Sequence, residues 1–332
     1  MTQDPLSGRT VVVTGAGGFI GSHLTETLVR AGARVRALVR YNSRSDRGNL
    51  SDVPPDIFRS IEIISGDVRD QLGMTRLLKG AETVFHLAAL IGIPYSYESP
   101  KSYTETNVEG TLHILEAARE NGSRVLLTST SEVYGTAVRT PMSEDHPLQA
   151  QSPYSATKIA ADMLGQAFAL SFGLPVAIVR PFNTFGPRQS MRAFIPTVMV
   201  QALRGDTVRL GDLTPIRDLN FVSNTVDGFL AVARLGVFDA RIYNLASGEG
   251  RSIEEVARKI LQMTRPDGNI ILEPCRVRPD NSEVRLLIGD SSRAKGELGW
   301  APRVSFDEGI QLSLNWIREN PGRFQAPADY SR

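Results

Sequence analysis

A single cysteine, Cys275, and four histidines stand in a chain of 332 residues. One thiol closes no intrachain disulfide, and His23, His86, His113 and His146 show no metal-ligand spacing, so no metal is assigned. An excess of charge of one sign is missing as well. The 37 Lys+Arg against 36 Asp+Glu leave +1, which gives no bulk pull toward nucleic acid or an anionic membrane surface. No apolar run approaches the eighteen or so residues of a membrane span, and the first ten residues hold no apolar signal core. A reducing, cytoplasmic setting is the expectation. No internal repeat and no low-complexity stretch appears. What is there is an ordinary globular mixture, 41% hydrophobic and 22% charged, long enough to bury a sizeable core.

Short apolar runs at 10–14, 35–39, 61–65, 84–88, 124–128 and 176–179 read as strands, and residues 107–120 and 153–172 as helices between them. Strands alternating with helices mean a Rossmann-like, doubly wound parallel α/β sheet. After Arg180 glycine and proline become frequent and strands shorten, with helices expected at 194–203 and 253–263. This divides the chain into a dinucleotide-binding domain at 8–180, with a return near 217–245. A smaller, discontinuous α/β substrate domain follows at 181–320, and a polar, frayed tail at 321–332.

The stretch TGAGGFIG at 14–21 sets Gly15, Gly18 and Gly21 between a strand and a helix with Ile20, Leu24, Leu28 and Ala31 on one face. Gly15 permits the tight turn, Gly18 lets the backbone approach a pyrophosphate, and Gly21 lets the helix pack close to the sheet. Phe19 and Ile20 open the helix whose free N–H groups and positive dipole end face the phosphates. An acid that would bond the adenosine ribose of NAD is missing after the second strand. Arg40 stands there, followed by Tyr41, and suits the extra phosphate of NADP or simply solvent. NAD and NADP both stay open.

Tyr154 and Lys158 stand four apart in SPYSATK and share one helix face. A neighbouring ammonium favours the phenolate, which predicts a lowered pKa for Tyr154 and a usable acid–base group. The glycine spacing and this pair resemble the extended short-chain dehydrogenase/reductases over roughly residues 10 to 318. The resemblance implies that Asp67 and Val68 border the adenine, that Leu87, Ala88 and Ala89 border the nicotinamide, and that Lys158 also holds the nicotinamide ribose. It implies that Tyr154 takes the proton of a sugar C4 hydroxyl, to which Thr130 hydrogen-bonds, while the hydride goes to a bound, recycled cofactor.

Glu132 discriminates among activities, because a carboxylate beside a 4-keto sugar can abstract the acidified C5 proton. Thr130-Ser131-Glu132-Val133-Tyr134-Gly135 is similar to the GDP-mannose-type dehydratases and the legionaminic-acid-type N-acetylglucosamine-nucleotide 4,6-dehydratases. Glucose-type dehydratases carry Asp at the position of Ser131, and the Ser-Glu pattern also occurs in UDP-glucuronate decarboxylases. In RPFNTFGPR, IRDLNFV and VRPDNSE, the resemblance implies that Asn183, Arg217 and Arg278 contact the diphosphate of a nucleotide sugar. Asn224 departs from the Asp that many relatives carry. It further implies a homodimer through the helices near 107–120 and 154–172, with Leu115 and Leu164 as outward apolar positions. The expected activity is a nucleotide-sugar 4,6-dehydratase. A 4-epimerase or decarboxylase on the same scaffold is the alternative. A cofactor-binding regulatory protein is disfavoured by the complete Thr130, Tyr154 and Lys158 set.

Overall fold

The computed structural model describes residues 4–235 and 238–324. The first half lays down β1 (Thr10–Thr14), β2 (Arg34–Arg40), β3 (Ile61–Gly66), β4 (Thr83–His86), β5 (Arg124–Thr128) and β6 (Val176–Pro181). The second half adds β7 (Asn183–Phe185), β8 (Thr207–Leu210), β9 (Ile216–Phe221), β10 (Asp239–Leu245), β11 (Gly250–Ser252), β12 (Asn269–Leu272) and β13 (Leu286–Leu287). Seven of these form one sheet in the order β10-β6-β5-β4-β1-β2-β3, parallel at every pairing. A sheet covered on both faces needs near-continuous apolar strands, and Val11, Val12 and Val13 are fully buried. Val11 and Val13 pack with Leu24, Leu28 and Phe229, whereas Val12 packs with Met74, Leu77, Ile114 and Phe168 on the other face.

Several expected boundaries move for physical reasons. β4 ends at His86: the Leu87 N–H is shared between the Thr14 carbonyl at 3.2 Å and the Thr14 hydroxyl at 3.1 Å, and the Ala88 N–H turns to that hydroxyl at 3.1 Å. The helix expected to begin at 107 is π-wound over Thr104–Glu109 before the α-helix Gly110–Asn121. Within the π turn the buried Asn107 amide bonds Leu90 N, Leu90 O and Thr157 Oγ1. Leu115 does not face outward: it is fully buried against the sheet. Of the expected return near 217–245, only β10 joins the main sheet. β9 centres a small sheet instead, flanked by β7, β11 and β13, and Val222–Leu235 is helical. The tail expected to fray from 321 begins with a docked turn, Pro321–Phe324, whose Phe324 is buried edge-on to Trp316. Residues 325–332 lie outside the described residues.

The helix Pro153–Phe172 is closely specified. Ser152 caps it in a capping box with Ser155, Pro153 occupies its first turn, and Gly173 ends it at φ +66°. A hydroxyl accepting the orphan N–H, a ring preset for helix and a glycine in the left-handed region are the expected punctuation. Tyr154 is thereby placed in the first turn and Lys158 one turn on.

Candidate active site

The strand order reverses at β1, which has β4 on one side and β2 on the other. The crevice beyond the carboxyl ends of these strands is where doubly wound sheets bind nucleotides. The glycine loop closes it. Gly15 sits at φ +69°, and a Cβ there would lie 2.8 Å from Ala88 N, so the loop and the end of β4 touch backbone to backbone. Gly21 lets its helix approach the residue that follows β1. A Cβ on it would stand 2.2 Å from Gly15 O, so only a glycine there seats the helix Phe19–Arg30 against the strand end and its loop. Gly18 begins that helix without a side-chain cap, leaving first-turn N–H groups such as those of Phe19 and Ile20 for a ligand. The donor set and the glycine cradle fit a dinucleotide pyrophosphate.

At the strand end expected to border the adenine, the Asp67 carboxylate accepts from Arg69 through Nε at 3.0 Å, Nη2 at 2.7 Å and the backbone N–H at 3.0 Å. Arg69, with the charge of Arg40 nearby, holds Asp67 below the usual carboxylate range despite partial burial. Arg40 itself is exposed at the end of β2, and Val68 is buried against the sheet. Among the described residues no group of His, Cys, Asp and Glu is arranged to hold a metal. His86 is a satisfied core residue, 2.8 Å from Thr14 Oγ1 and 3.1 Å from Thr111 Oγ1.

Thr130 follows β5 and caps the short turn Ser131–Tyr134, its hydroxyl accepting from Glu132 N at 3.2 Å. The same hydroxyl lies close enough to the Tyr154 phenol to favour its ionised form, and the Glu132 carboxylate close enough to oppose that ionisation. Ser131 and Glu132 are buried. The structure thus brings Thr130, Glu132 and Tyr154 together. Lys158 Nζ is anchored 2.6 Å from Thr128 O. The predicted lowering of the Tyr154 pKa is not found: burial pushes it up, and the negative charges of Glu132 and Asp162 add to the effect. Burial also lowers the Lys158 pKa, which Asp162 opposes. Desolvation dominates, and the buried Lys158 is not among the charges that act on the phenol.

Asn183 in β7 lies opposite Leu219 of β9, two residues from Arg217 on the same strand. Its buried Oδ1 has no partner, a mark of a ligand contact. Arg217 Nη2 and Arg278 Nη1 converge on one carboxylate, Glu283 Oε1, at 2.8 and 3.6 Å. Asn224 is a structural bracket: its Oδ1 accepts from Arg303 N and Val304 N, and its amide donates to Asn220 and Val304. The sequence reading missed Glu283, Asn107, Thr14 and Tyr103, whose ring meets Tyr154 edge-on at 6.3 Å. Only Asn107 left a signal, a short polar side chain inside an otherwise apolar helix face.

Residues 12–313 match the model of the family described as GDP-mannose 4,6 dehydratase. The chain is 33% identical over 317 residues to the dTDP-glucose 4,6-dehydratase of Streptomyces griseus, covering 93% of this chain and 94% of that one. It is also 33% identical over 323 residues to a UDP-N-acetyl-alpha-D-glucosaminuronate decarboxylase of Bacillus cytotoxicus, at 94% and 98% coverage. The structure superposes on DesIV, the dTDP-glucose 4,6-dehydratase of Streptomyces venezuelae solved with NAD bound. The TM-score is 0.86 at 29% identity, covering 95% of this chain and 99% of that one. The chain spans about half (47%) of a trifunctional Arabidopsis thaliana enzyme that it matches at 29% identity. No helix of the described residues is long and apolar enough to cross a membrane. The nucleotide crevice, the Thr130–Tyr154 contact and the match over most of the length agree: this chain belongs to the GDP-mannose 4,6-dehydratase family of extended short-chain dehydrogenase/reductases, enzymes that act on nucleotide sugars.

Proposed function

We propose that the chain is a nucleotide-sugar 4,6-dehydratase using NAD, with residues 8–180 and the return strand β10 holding the cofactor and 181–320 covering the sugar nucleotide. Bound NAD supplies a hydride acceptor for C4 and a hydride donor for C6. Tyr154 takes the proton of the C4 hydroxyl, Thr130 fixes that oxygen by hydrogen bonding, and Lys158 supplies the local positive charge. Asn183, Arg217 and Arg278 take the diphosphate, for which paired guanidinium forks are suited. The observation that carries the reading is the buried Glu132 carboxylate beside the Tyr154 phenol. A 4-epimerase has no use for a second acid–base group there.

Ser131 is a weak proton donor beside a carboxylic acid. Glu132 therefore takes the C5 proton and delivers it to the departing C6 hydroxyl, first base and then acid, which requires a syn elimination. Glu132→Gln is expected to oxidise C4 and stop: a 4-keto hexose nucleotide forms without 6-deoxy product, read by mass spectrometry. Formation of 6-deoxy sugar at the wild-type rate by this variant would sink the proposal. A decarboxylase is the second reading, favoured by Ser131 and by the likeness to the Bacillus cytotoxicus enzyme. Loss of about 44 mass units from a uronic-acid nucleotide, in place of about 18 from a hexose one, decides for it.

The active form is a homodimer through the helices around 107–120 and 154–172. Met163, Leu170 and Phe172 are exposed on the second of these, and large exposed apolar side chains on one helix suit a partner surface. Light scattering at micromolar concentration is expected to give twice the chain mass; a monomer mass contradicts it.

A further inference from the structure

Behind the turn that bears Thr130 and Glu132 lies a buried ion pair that the chemistry above does not use. Asp162, on the helix Pro153–Phe172, and Arg180, at the end of β6, are each 1% exposed. Arg180 donates to Asp162 Oδ2 through Nε at 3.0 Å and Nη2 at 2.9 Å. The same oxygen accepts from Ser129 Oγ at 2.9 Å. The remaining fork nitrogen, Nη1, donates to the Tyr134 hydroxyl at 3.0 Å, and the guanidinium lies 4.9 Å from that ring's centre. Tyr134 in turn donates to Asn244 Oδ1 at 2.7 Å, whose amide donates to Met142 O at 3.0 Å. Ser129 is the residue before Thr130, and Tyr134 is the last residue of the turn Ser131–Tyr134.

We propose that the Asp162–Arg180 pair is a positioning clamp that grips both ends of the turn, through Ser129 and Tyr134, and so fixes Thr130 and Glu132 against Tyr154. This rests on the reading of that turn as the acid–base element. Stability alone does not account for the pair, since a buried ion pair is often no better than well-packed apolar residues of the same volume. Directionality does: two charged, rigid partners define where Ser129 and Tyr134 sit, and small displacements of reacting groups are costly. Asp162 also belongs to the helix that carries Tyr154 and Lys158, so one carboxylate ties the turn to the acid–base pair. Its negative charge opposes ionisation of Tyr154 and supports the charge of Lys158.

Asp162→Asn and Arg180→Met strand a buried charge and invite unfolding, so the test uses the two hydroxyls that the clamp holds. Ser129→Ala and Tyr134→Phe each leave the ion pair in place and remove one grip. Both are assayed on the full-length, NAD-loaded enzyme with its hexose nucleotide. The expected result is a fall of about ten- to a hundredfold in kcat, with KM within twofold and the content of bound NAD unchanged, because Asn183, Arg217, Arg278 and the glycine loop are untouched. A kcat within twofold of wild type in both variants overturns the clamp. So does a loss of kcat that comes only with a matching rise in KM and loss of bound NAD, which marks general loosening. Glu132→Gln run in parallel separates the layers. If it stays fully active the acid–base reading fails; if it is dead while the hydroxyl variants are normal, only the clamp fails.

Discussion

At the scale of single residues, the site depends on burial more than on neighbouring charge. Tyr154 is 7% exposed and its phenol is pushed above its ordinary pKa, so in this state it is a proton-holding phenol near the Thr130 hydroxyl. The positive ring of an oxidised nicotinamide, brought next to it, is the kind of charge that favours the phenolate. Tyr154→Phe removes the proton-carrying oxygen and little else. Turnover is expected to fall by about 10²–10⁴-fold, the scale of general acid–base catalysis, while bound NAD is retained. More than half the wild-type rate in that variant would take Tyr154 out of the chemistry. The spacing of Tyr154 and Lys158 was legible in the sequence because four residues make one helical turn. The sign of the pKa shift was not, because desolvation depends on what packs over the ring, here Tyr103 from a separate helix.

At the scale of elements, the glycine loop and its helix form one unit. With 2.2 Å between Gly15 O and a Cβ added at residue 21, Gly21→Ala has to move either the helix or the glycine loop. Overpacking of this kind costs about 1–3 kcal/mol. The expected outcome is a lowered Tm together with loss of copurifying NAD; a variant that keeps full NAD content would show that the helix gives way without disturbing the loop. Sequence pattern reached this unit because its parts are adjacent in the chain. It did not reach Glu283, which gathers Arg217 and Arg278 from different segments, or the group of Ser129, Tyr134, Asp162 and Arg180. Those contacts span 18 to 46 residues, and nothing local in the sequence announces them. The orientation of Leu115 was misjudged for a similar reason. An apolar residue on a two-sided sheet's helix has an inner and an outer face, and only the packing partners, among them Ile114 and Val84, tell which is which.

At the scale of the whole molecule, two buried histidines contribute to the response to mild acid. Burial depresses His86 to about 3. Burial, with Arg188 beside it, depresses His23 to about 4. The unfolded chain protonates both near 6.5, so below that pH it binds protons that the folded chain refuses. Stability is therefore present at neutral pH and falls as pH drops from about 6.5 toward 4. The slope is roughly 1.4 kcal/mol per pH unit for each histidine. Asp218 and Glu144, raised by burial, act in the opposite sense, because their folded forms hold protons more readily. The net expectation is a lower Tm at pH 5 than at pH 7.5, with a shallower drop in His86→Gln. Equal drops in the variant and wild type would remove His86 from the balance.

The strand order also dictates a sequence of events during synthesis. β6 is buried at all six positions, yet the partner that covers its outer edge, β10, begins only at Asp239. More than fifty residues of the second half must leave the ribosome before that edge is paired. A nascent or truncated chain ending near 180 therefore presents an apolar strand with unsatisfied backbone groups, a template for joining other chains. The nucleotide-binding half is in this sense not a separable module. Its last wall is delivered by the second half of the chain.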